Sequence, residues 1–158
     1  VENNQKCILY NSTTGKFELY TWQDVFVGDV LFVNCDQVFA ADMILLHSGG
    51  DEAFISTASL DGEMNLKERR TLSICESIIN GQKKGHGGRA STSTSFDSKE
   101  AELEATEAVE ALDRCGLQLR MGKPEVAVTD VKGSLTSDTQ TEECPVAWIN
   151  FLPRGCTL

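Results

Sequence analysis

Short apolar runs alternate with polar, glycine-containing breaks along the first part of the chain. Two runs rich in β-branched and aromatic residues, 7–10 and 17–21, flank a break of turn-forming composition, which predicts a β-hairpin. Further runs at 30–34, 43–47 and 53–56 predict three more strands. Strands this short, spaced about ten residues apart, are typical of small sandwiches and barrels rather than of parallel α/β units. The pattern therefore predicts a mainly β fold.

The second half of the chain mixes polar stretches with one helix. Glycine, serine, threonine and lysine dominate residues 79–98, which predicts a flexible, disordered polar insertion. Alanine and aliphatic residues then recur at helical spacing, which predicts an amphipathic helix over residues 98–115. Residues 131–143 are polar and predict a loop. The apolar run 147–152 predicts a strand within a closing segment, residues 144–158.

The predicted helix has capping residues and an acidic outer face. Asp97 offers an N-cap with Glu100 three residues later, and Gly116 ends the periodic segment. Five acidic residues lie away from the apolar side: Glu102, Glu104, Glu107, Glu110 and Asp113. Such a face can dock a partner, but a solvated surface is the more common role of a charged helix face.

Length and charge limit the function classes that fit. A chain of 158 residues can bury one core, so we predict a single domain over residues 1–158 with its β core in residues 1–75. The formal net charge of -10, from 24 acidic and 14 basic residues, repels phosphate groups. We therefore expect no nucleic acid partner and no electrostatic docking on anionic lipids. No apolar run reaches the roughly 20 residues of a membrane span, which predicts a soluble chain.

Patterns for metals and cofactors are absent from the sequence. The six cysteines are widely separated and lack the spacing of zinc ligands, which predicts free thiols in a reducing compartment. The glycine-rich stretch 81–88 lacks the order GxxxxGK[ST] of a phosphate-binding loop. We predict no metal and no cofactor bound by this chain.

The segment with the most chemical potential is residues 61–64, here called the DGEM loop. Asp61 and Glu63 flank Gly62, which permits a tight, exposed turn after an apolar strand. A carboxylate presented in this way can accept a proton from water and direct that water at an electrophile. From the local sequence alone, an ordinary hairpin turn at Asp61 and Gly62 is the more common interpretation, so the surrounding sequence has to decide.

Three blocks around the DGEM loop resemble the actuator domain of P-type ATPases. Residues 22–30, WQDVFVGDV, resemble the pattern WxDVxVGDxV; residues 36–46, DQVFAADMILL, resemble DQxFPADxxLL; residues 57–69, TASLDGEMNLKER, resemble TAxLDGETNLKxR. Residues 143–151 more loosely resemble the segment that ends the domain. Ion pumps of this class usually carry TGES at the loop, whereas DGET followed by Asn-Leu-Lys marks the type IV enzymes. The resemblance is therefore to the actuator domain of the phospholipid-transporting flippases.

The resemblance implies both a fold and a mechanism. The implied fold is a small distorted jelly roll of about six to eight short strands, placed between transmembrane helices on the cytosolic side. The implied role of Glu63 is to position the water that hydrolyses an aspartyl phosphate in another domain. Asp61, Gly62, Met64 and Asn65 would shape the loop. Movement of the domain would couple this hydrolysis to lipid translocation across the membrane.

The implied partners belong mostly to the same full-length chain. They are the phosphorylation and nucleotide-binding domains and the transmembrane helices, together with a phospholipid substrate and an accessory β-subunit. Magnesium-ATP, which the full-length enzyme requires, would bind to the other domains. The fragment alone is therefore not expected to hydrolyse ATP.

Two residues depart from the family pattern. Ala40 replaces a proline, which leaves the unfolded chain freer and destabilises the fold by ~0.4–1 kcal/mol. Met64 replaces a threonine, which removes a hydroxyl donor from the loop. They leave an alternative, a catalytically degenerate flippase-like module with a regulatory or assembly role in a larger membrane protein. A third interpretation is an unrelated β-domain that binds proteins through its acidic helix.

Overall fold

The computed structural model describes residues 2–50, 52–83, 98–123 and 129–158. Within these residues the chain forms ten short strands in four small antiparallel sheets, with three α-helices. The strands are β1 (Lys6–Asn11), β2 (Lys16–Thr21), β3 (Leu31–Phe32), β4 (Met43–Ile44), β5 (Glu52–Ile55), β6 (Lys67–Arg70), β7 (Gln118–Met121), β8 (Gly133–Ser137), β9 (Gln140–Val146) and β10 (Phe151–Leu152). The helices are α1 (Ala58–Asp61), α2 (Ser73–Lys83) and α3 (Ser98–Asp113). The predicted mainly β fold is confirmed.

The first sheet places β1 between β2 and β3. β1 and β2 form the predicted hairpin, from Lys6 opposite Thr21 to Asn11 opposite Lys16. At its turn, the side-chain oxygen of Asn11 accepts a hydrogen bond from the Thr13 N–H at 2.9 Å. This is the local bond for which asparagine is favoured in turns, so the turn composition explains the hairpin.

A second hairpin carries the DGEM loop. β5 and β6 pair from Glu52 opposite Arg70 to Ile55 opposite Lys67. Residues 56–66 connect the two strands, so the loop lies in this connection. The strand predicted at 53–56 is therefore present, and its partner β6 is a strand that the apolar pattern did not predict, because all four of its residues are charged.

The C-terminal segment, predicted as a closing strand within residues 144–158, is broken into pieces. β9 ends at Val146, a 3-10 turn over Trp148–Asn150 redirects the chain, and β10 then pairs with β4. A continuous strand is wrong because the side chain of Asn150 turns into the fold, where its amide donates to the Arg70 carbonyl at 2.9 Å. The closing role is retained, but several short contacts replace one ladder.

The residues after β10 form a tail that closes the domain across the second hairpin. Thr157 and Ser56 exchange backbone hydrogen bonds at 2.8 and 3.2 Å. The Phe39 N–H donates to the Cys156 carbonyl at 2.8 Å. Buried apolar residues from these segments form one cluster, the tail core: Phe39, Leu45, Ile55, Leu152 and Cys156. The tail therefore holds the end of β5 and the start of the connection that carries the DGEM loop.

A second cluster, the helix core, joins α2 and α3 to the sheet of β7, β8 and β9. Its buried residues are Leu72, Ile74, Cys75, Ile78, Ile79, Ala108, Ala111, Leu112, Cys115, Leu135 and Val146. α3 confirms the predicted helix, although it ends at Asp113 and the predicted cap Asp97 lies outside the described residues. No helix in the described ranges has the length and apolar character needed to cross a membrane.

The flexible insertion predicted over residues 79–98 is wrong at its start, because α2 continues to Lys83. Four of the residues of α2 are buried at helical spacing: Ile74, Cys75, Ile78 and Ile79. This spacing is the signal that could have revealed the helix, but polar residues and Gly81 interrupt it. Residues 84–97, the rest of the predicted insertion except for Ser98 at the start of α3, lie outside the described residues.

The polar loop predicted over residues 131–143 is also wrong. β8 and β9 occupy most of it and pair from Gly133 opposite Val146 to Ser137 opposite Gln140. The first four residues of β9 are exposed. An antiparallel sheet with one solvated face needs few apolar residues, so its strands can resemble a loop in composition.

All six cysteines are free thiols. Burial raises the pKa of the Cys75 thiol to about 12. A thiol that stays protonated is neither a nucleophile nor a metal ligand, so Cys75 acts as an apolar residue of the helix core.

The packing of α2 can be tested by replacing Ile79 with alanine. Ile79 is 5% exposed, so Ile79→Ala should lower the free energy of unfolding by ~2–5 kcal/mol through lost apolar contact and an unfilled cavity. Urea unfolding followed by circular dichroism measures this loss. Ile149→Ala is the matched control, because Ile149 is 40% exposed and should lose much less. Equal losses in the two variants would contradict the packing of α2.

Candidate active site

The DGEM loop begins inside a one-turn helix. α1 follows Thr57 and is capped at its C-terminal end by Gly62, whose N–H donates to the Ala58 carbonyl at 3.1 Å. Gly62 has a φ of +73°, in the left-handed region that favours glycine, and a Cβ there would meet no atom within 4 Å. Backbone conformation rather than crowding therefore requires glycine. The ordinary hairpin turn considered for Asp61 and Gly62 is wrong, since Gly62 ends a helical turn.

Asp61 fixes the shape of the loop by accepting hydrogen bonds from two donors, the Thr57 hydroxyl and the Glu63 N–H. The hydroxyl of Thr57 lies 2.9 and 3.1 Å from the two carboxylate oxygens. The backbone N–H of Glu63 donates to Asp61 Oδ1 at 2.9 Å. This N–H is the largest cause that lowers the pKa of Asp61, with smaller contributions from Thr57 and Lys67. Because Thr57 is 1% exposed, the carboxylate is tied to the buried part of the domain.

Glu63 projects into solvent and contacts one cation. Its side chain is 59% exposed, and its carboxylate forms an ion pair with Lys67 Nζ. The same ammonium lies 3.3 Å from Asp61 Oδ2. The hydrogen bond to Glu63, followed by the bond to Asp61, raises the pKa of Lys67. Two carboxylates and one ammonium thus form a small charged cluster at the surface.

The connection that carries the loop is anchored at both ends. The hydroxyl of Ser59 donates to the Gly155 carbonyl of the tail at 2.8 Å. On the other side, Arg69 Nε donates to the Phe151 carbonyl at 2.7 Å. The Arg69 guanidinium also lies over the Trp148 ring, 4.8 Å from its centroid. The loop therefore extends from a fixed base.

The remaining predicted loop residues are exposed. Met64 is 86% exposed, and Asn65 is exposed with no side-chain hydrogen bond in the described part of the chain. Their roles in shaping the loop stay predictions. Thr57 and Lys67 have no role predicted from the sequence, although both belong to the block that resembles the family. Their contacts with Asp61 and Glu63 depend on the course of the backbone, which the local sequence does not reveal.

The DGEM loop lies on an open surface. A hollow of about 310 Å³ is lined by Trp22, Phe32 and Ala40 among others, but it includes no residue of the loop. The described ranges also contain no group of three or more His, Cys, Asp or Glu side chains that could hold a metal ion. Within the described residues, the Glu63 carboxylate thus faces solvent.

The chain is similar to phospholipid-transporting ATPases over about half of its length. Phospholipid-transporting ATPase VA of Homo sapiens is 35% identical over 72 residues, which are 44% of this chain and 5% of that protein. Phospholipid-transporting ATPase 6 of Arabidopsis thaliana is 38% identical over 74 residues, 46% of this chain and 6% of that protein. Phospholipid-transporting ATPase IC of Xenopus tropicalis is 35% identical over 69 residues, 42% of this chain and 6% of that protein. No model of a protein family matches the chain.

These relatives confirm the resemblance to the type IV P-type ATPases. The chain spans well under a tenth of the length of the curated relatives it matches. The similarity thus indicates a class of protein, and it does not assign a function to the individual residues of this region.

The tie between Asp61 and the buried part of the domain can be tested with Thr57→Val. Valine keeps the shape of threonine but removes the hydroxyl, so we expect the melting temperature to fall by about 2–4 °C. Differential scanning calorimetry measures the change. Thr13→Val is the control, because the Thr13 side chain is exposed and its hydroxyl makes no hydrogen bond in the described residues. A Thr57→Val melting temperature equal to that of the control would show that the bond contributes nothing.

The pKa of the Asp61 carboxyl offers a second test of the loop. We expect it to titrate below its ordinary value of 3.8, because hydrogen bonds and Lys67 favour the charged form. A lowered pKa in the folded state means that this stabilisation is present above about pH 4 and is lost as the pH falls through the folded pKa. Carboxyl chemical shifts followed by NMR give the midpoint. A midpoint at or above 3.8 would be inconsistent with these bonds.

Proposed function

We propose that this chain is the actuator domain of a phospholipid-transporting P-type ATPase, and that its DGEM loop promotes hydrolysis of an aspartyl phosphate carried by another domain. The observation that carries the proposal is the position of Glu63. Its carboxylate is exposed at the end of a turn that Gly62 and Asp61 hold in place. The similarity to phospholipid-transporting ATPases supplies the reaction class.

Glu63 would act as the base that holds the attacking water. An acyl phosphate is activated but anionic, so fast hydrolysis needs a base at a fixed distance and angle. The bond from the Glu63 N–H to Asp61 fixes the backbone at the residue that carries the base. The side chain itself remains accessible to a second surface. A fixed backbone with an exposed carboxylate is the arrangement that such a reaction requires of this domain.

The rest of the reaction would belong to other parts of the full-length protein. Magnesium-ATP would bind to the nucleotide-binding and phosphorylation domains, and the phospholipid would contact the transmembrane helices. An accessory β-subunit is a further proposed partner. With this domain on the cytosolic side, its movement over the aspartyl phosphate would couple hydrolysis to lipid translocation. This chain alone should not hydrolyse ATP.

The effect of methionine at position 64 decides between an active actuator domain and a catalytically degenerate module. The side chain is 86% exposed, so the exchange of threonine for methionine does not disturb the packing of the loop. If the hydroxyl of the family's threonine contacted the phosphoryl oxygens, its loss would slow hydrolysis by ~10²–10³-fold. This loss is the basis of the degenerate alternative. The retained turn and the retained Glu63 support the active alternative.

Glu63→Gln in the full-length protein tests the proposal. Glutamine keeps the size of the side chain but cannot accept the proton of the water, so the phosphoenzyme lifetime should increase by ~10²–10⁴-fold. The lifetime is measured by labelling with radioactive ATP and following the decay of protein-bound phosphate during a chase with unlabelled ATP.

The matched control for this experiment is Glu107→Gln. Glu107 is an exposed carboxylate on α3, away from the loop in sequence, and its loss should leave the lifetime unchanged. If Glu63→Gln also leaves the lifetime unchanged, the proposal is wrong and the degenerate module becomes the better account.

A further inference from the structure

Lys67 lies at the start of β6, opposite Ile55, with its ammonium between the two carboxylates of the DGEM loop. Its Nζ is 3.3 Å from Asp61 Oδ2 and forms an ion pair with Glu63 Oε2. Glu63 and Lys67 are not on a common helix, so this contact follows from the folding of the connection and not from helical periodicity. The ammonium therefore bridges a fixed carboxylate and an exposed one.

We propose that Lys67 is a positioning residue for Glu63, which orients the Glu63 carboxylate and offsets its charge toward an incoming phosphoryl group. This inference rests on the proposed function, because it assigns Lys67 to the same hydrolysis step. Lys67 does not touch the reacting atoms and acts through Glu63.

The Lys67 ammonium has a fixed location relative to the DGEM loop. Asp61 is held by the Thr57 hydroxyl and by the backbone N–H of Glu63. The Lys67 side chain is 31% exposed and begins in a paired strand. An ammonium bound to a fixed carboxylate loses much of the freedom of a surface lysine, so its position is defined relative to the loop.

The orientation of the Glu63 carboxylate depends on this ammonium. In the described residues, the Glu63 carboxylate has no hydrogen-bond partner besides Lys67. Without it, an exposed glutamate side chain samples several rotamers in solvent. A base held at one distance and angle is more effective than one that must find its position in each cycle.

The Lys67 ammonium also changes the net charge that the DGEM loop presents. Asp61 and Glu63 alone would present two negative charges to an anionic phosphoryl group. One ammonium beside both lowers the local charge to a single negative charge and weakens the repulsion as the two surfaces meet. Exclusion of water at the contact strengthens this effect, because Coulomb interactions increase as the local dielectric falls.

The other cations of β6 are engaged elsewhere. Arg69 is buried and donates to the Phe151 carbonyl. Arg70 forms ion pairs with Glu68 and with Glu52 across the hairpin. Lys67 is thus the cation of this strand that contacts the DGEM loop.

The test uses Lys67→Met in the full-length protein. Methionine keeps most of the apolar stem and removes the charge, so the phosphoenzyme lifetime should increase by roughly 10-fold, between the effect of an exposed ion pair and that of a preorganised donor. Lys67→Arg should restore a lifetime near that of the parent protein. Lys99→Met, at an exposed lysine near the start of α3, should leave it unchanged. Lys67→Gln serves as a second neutral variant if Lys67→Met does not fold.

A double-mutant cycle with Glu63→Gln shows whether Lys67 acts through Glu63. If it acts mainly through Glu63, adding Lys67→Met to Glu63→Gln should prolong the lifetime by much less than the roughly 10-fold of Lys67→Met alone, with the remainder coming from the lost charge beside Asp61. An unchanged lifetime in Lys67→Met, beside a prolonged one in Glu63→Gln, overturns this inference and leaves the proposed function intact. Unchanged lifetimes in both single variants overturn the proposed function. A Lys67→Arg variant as slow as Lys67→Met overturns the inference, because charge would not be the cause.

Discussion

The geometry of the second hairpin, β5 and β6, depends on the contacts of the buried Arg69 guanidinium. It is 2% exposed, and burial lowers its pKa, yet a guanidinium remains charged in a protein. Such a charge is tolerated only with compensating contacts, which here are the carbonyls of Phe151 and Glu68 and the face of Trp148. A shift of β6 would separate these contacts. The charge therefore locks the strand that follows the DGEM loop to the C-terminal segment.

From this fixed base the order of the loop decreases toward its tip. Thr57 is buried, Asp61 is partly covered and bound to it, and the Glu63 carboxylate is mostly exposed. Thr57 holds the Asp61 carboxylate, and Asp61 holds the N–H of Glu63. The backbone at Glu63 is therefore defined although its side chain faces solvent. A domain that brings a base to a distant electrophile needs both properties, since a fully buried base could not reach it and an untethered one would not be oriented.

The sequence predicted the parts of the fold in which local pattern and burial agree. The first hairpin has two apolar runs around a turn-forming break, and α3 has apolar residues at helical spacing. The structure contains both. It did not predict α2, β6 or the pair β8 and β9, because their solvated faces are too polar for the period to stand out. The family pattern identified the loop, but the bridging position of Lys67 depends on how residues 56–66 fold back, and long-range contacts of that kind have no local signature.

The DGEM loop and the residues beside it are exposed to solvent. Leu60, Met64 and Leu66 are 51%, 86% and 63% exposed, so apolar side chains are exposed close in sequence to the charged residues of the loop. Open water around a carboxylate screens its field and competes with the water it holds. Under the proposed function, a second domain covers these apolar residues as it brings the phosphoryl group, and hydrolysis becomes fast only when the two surfaces are in contact. Under the same proposal, the exposure of the loop is what makes hydrolysis depend on domain movement.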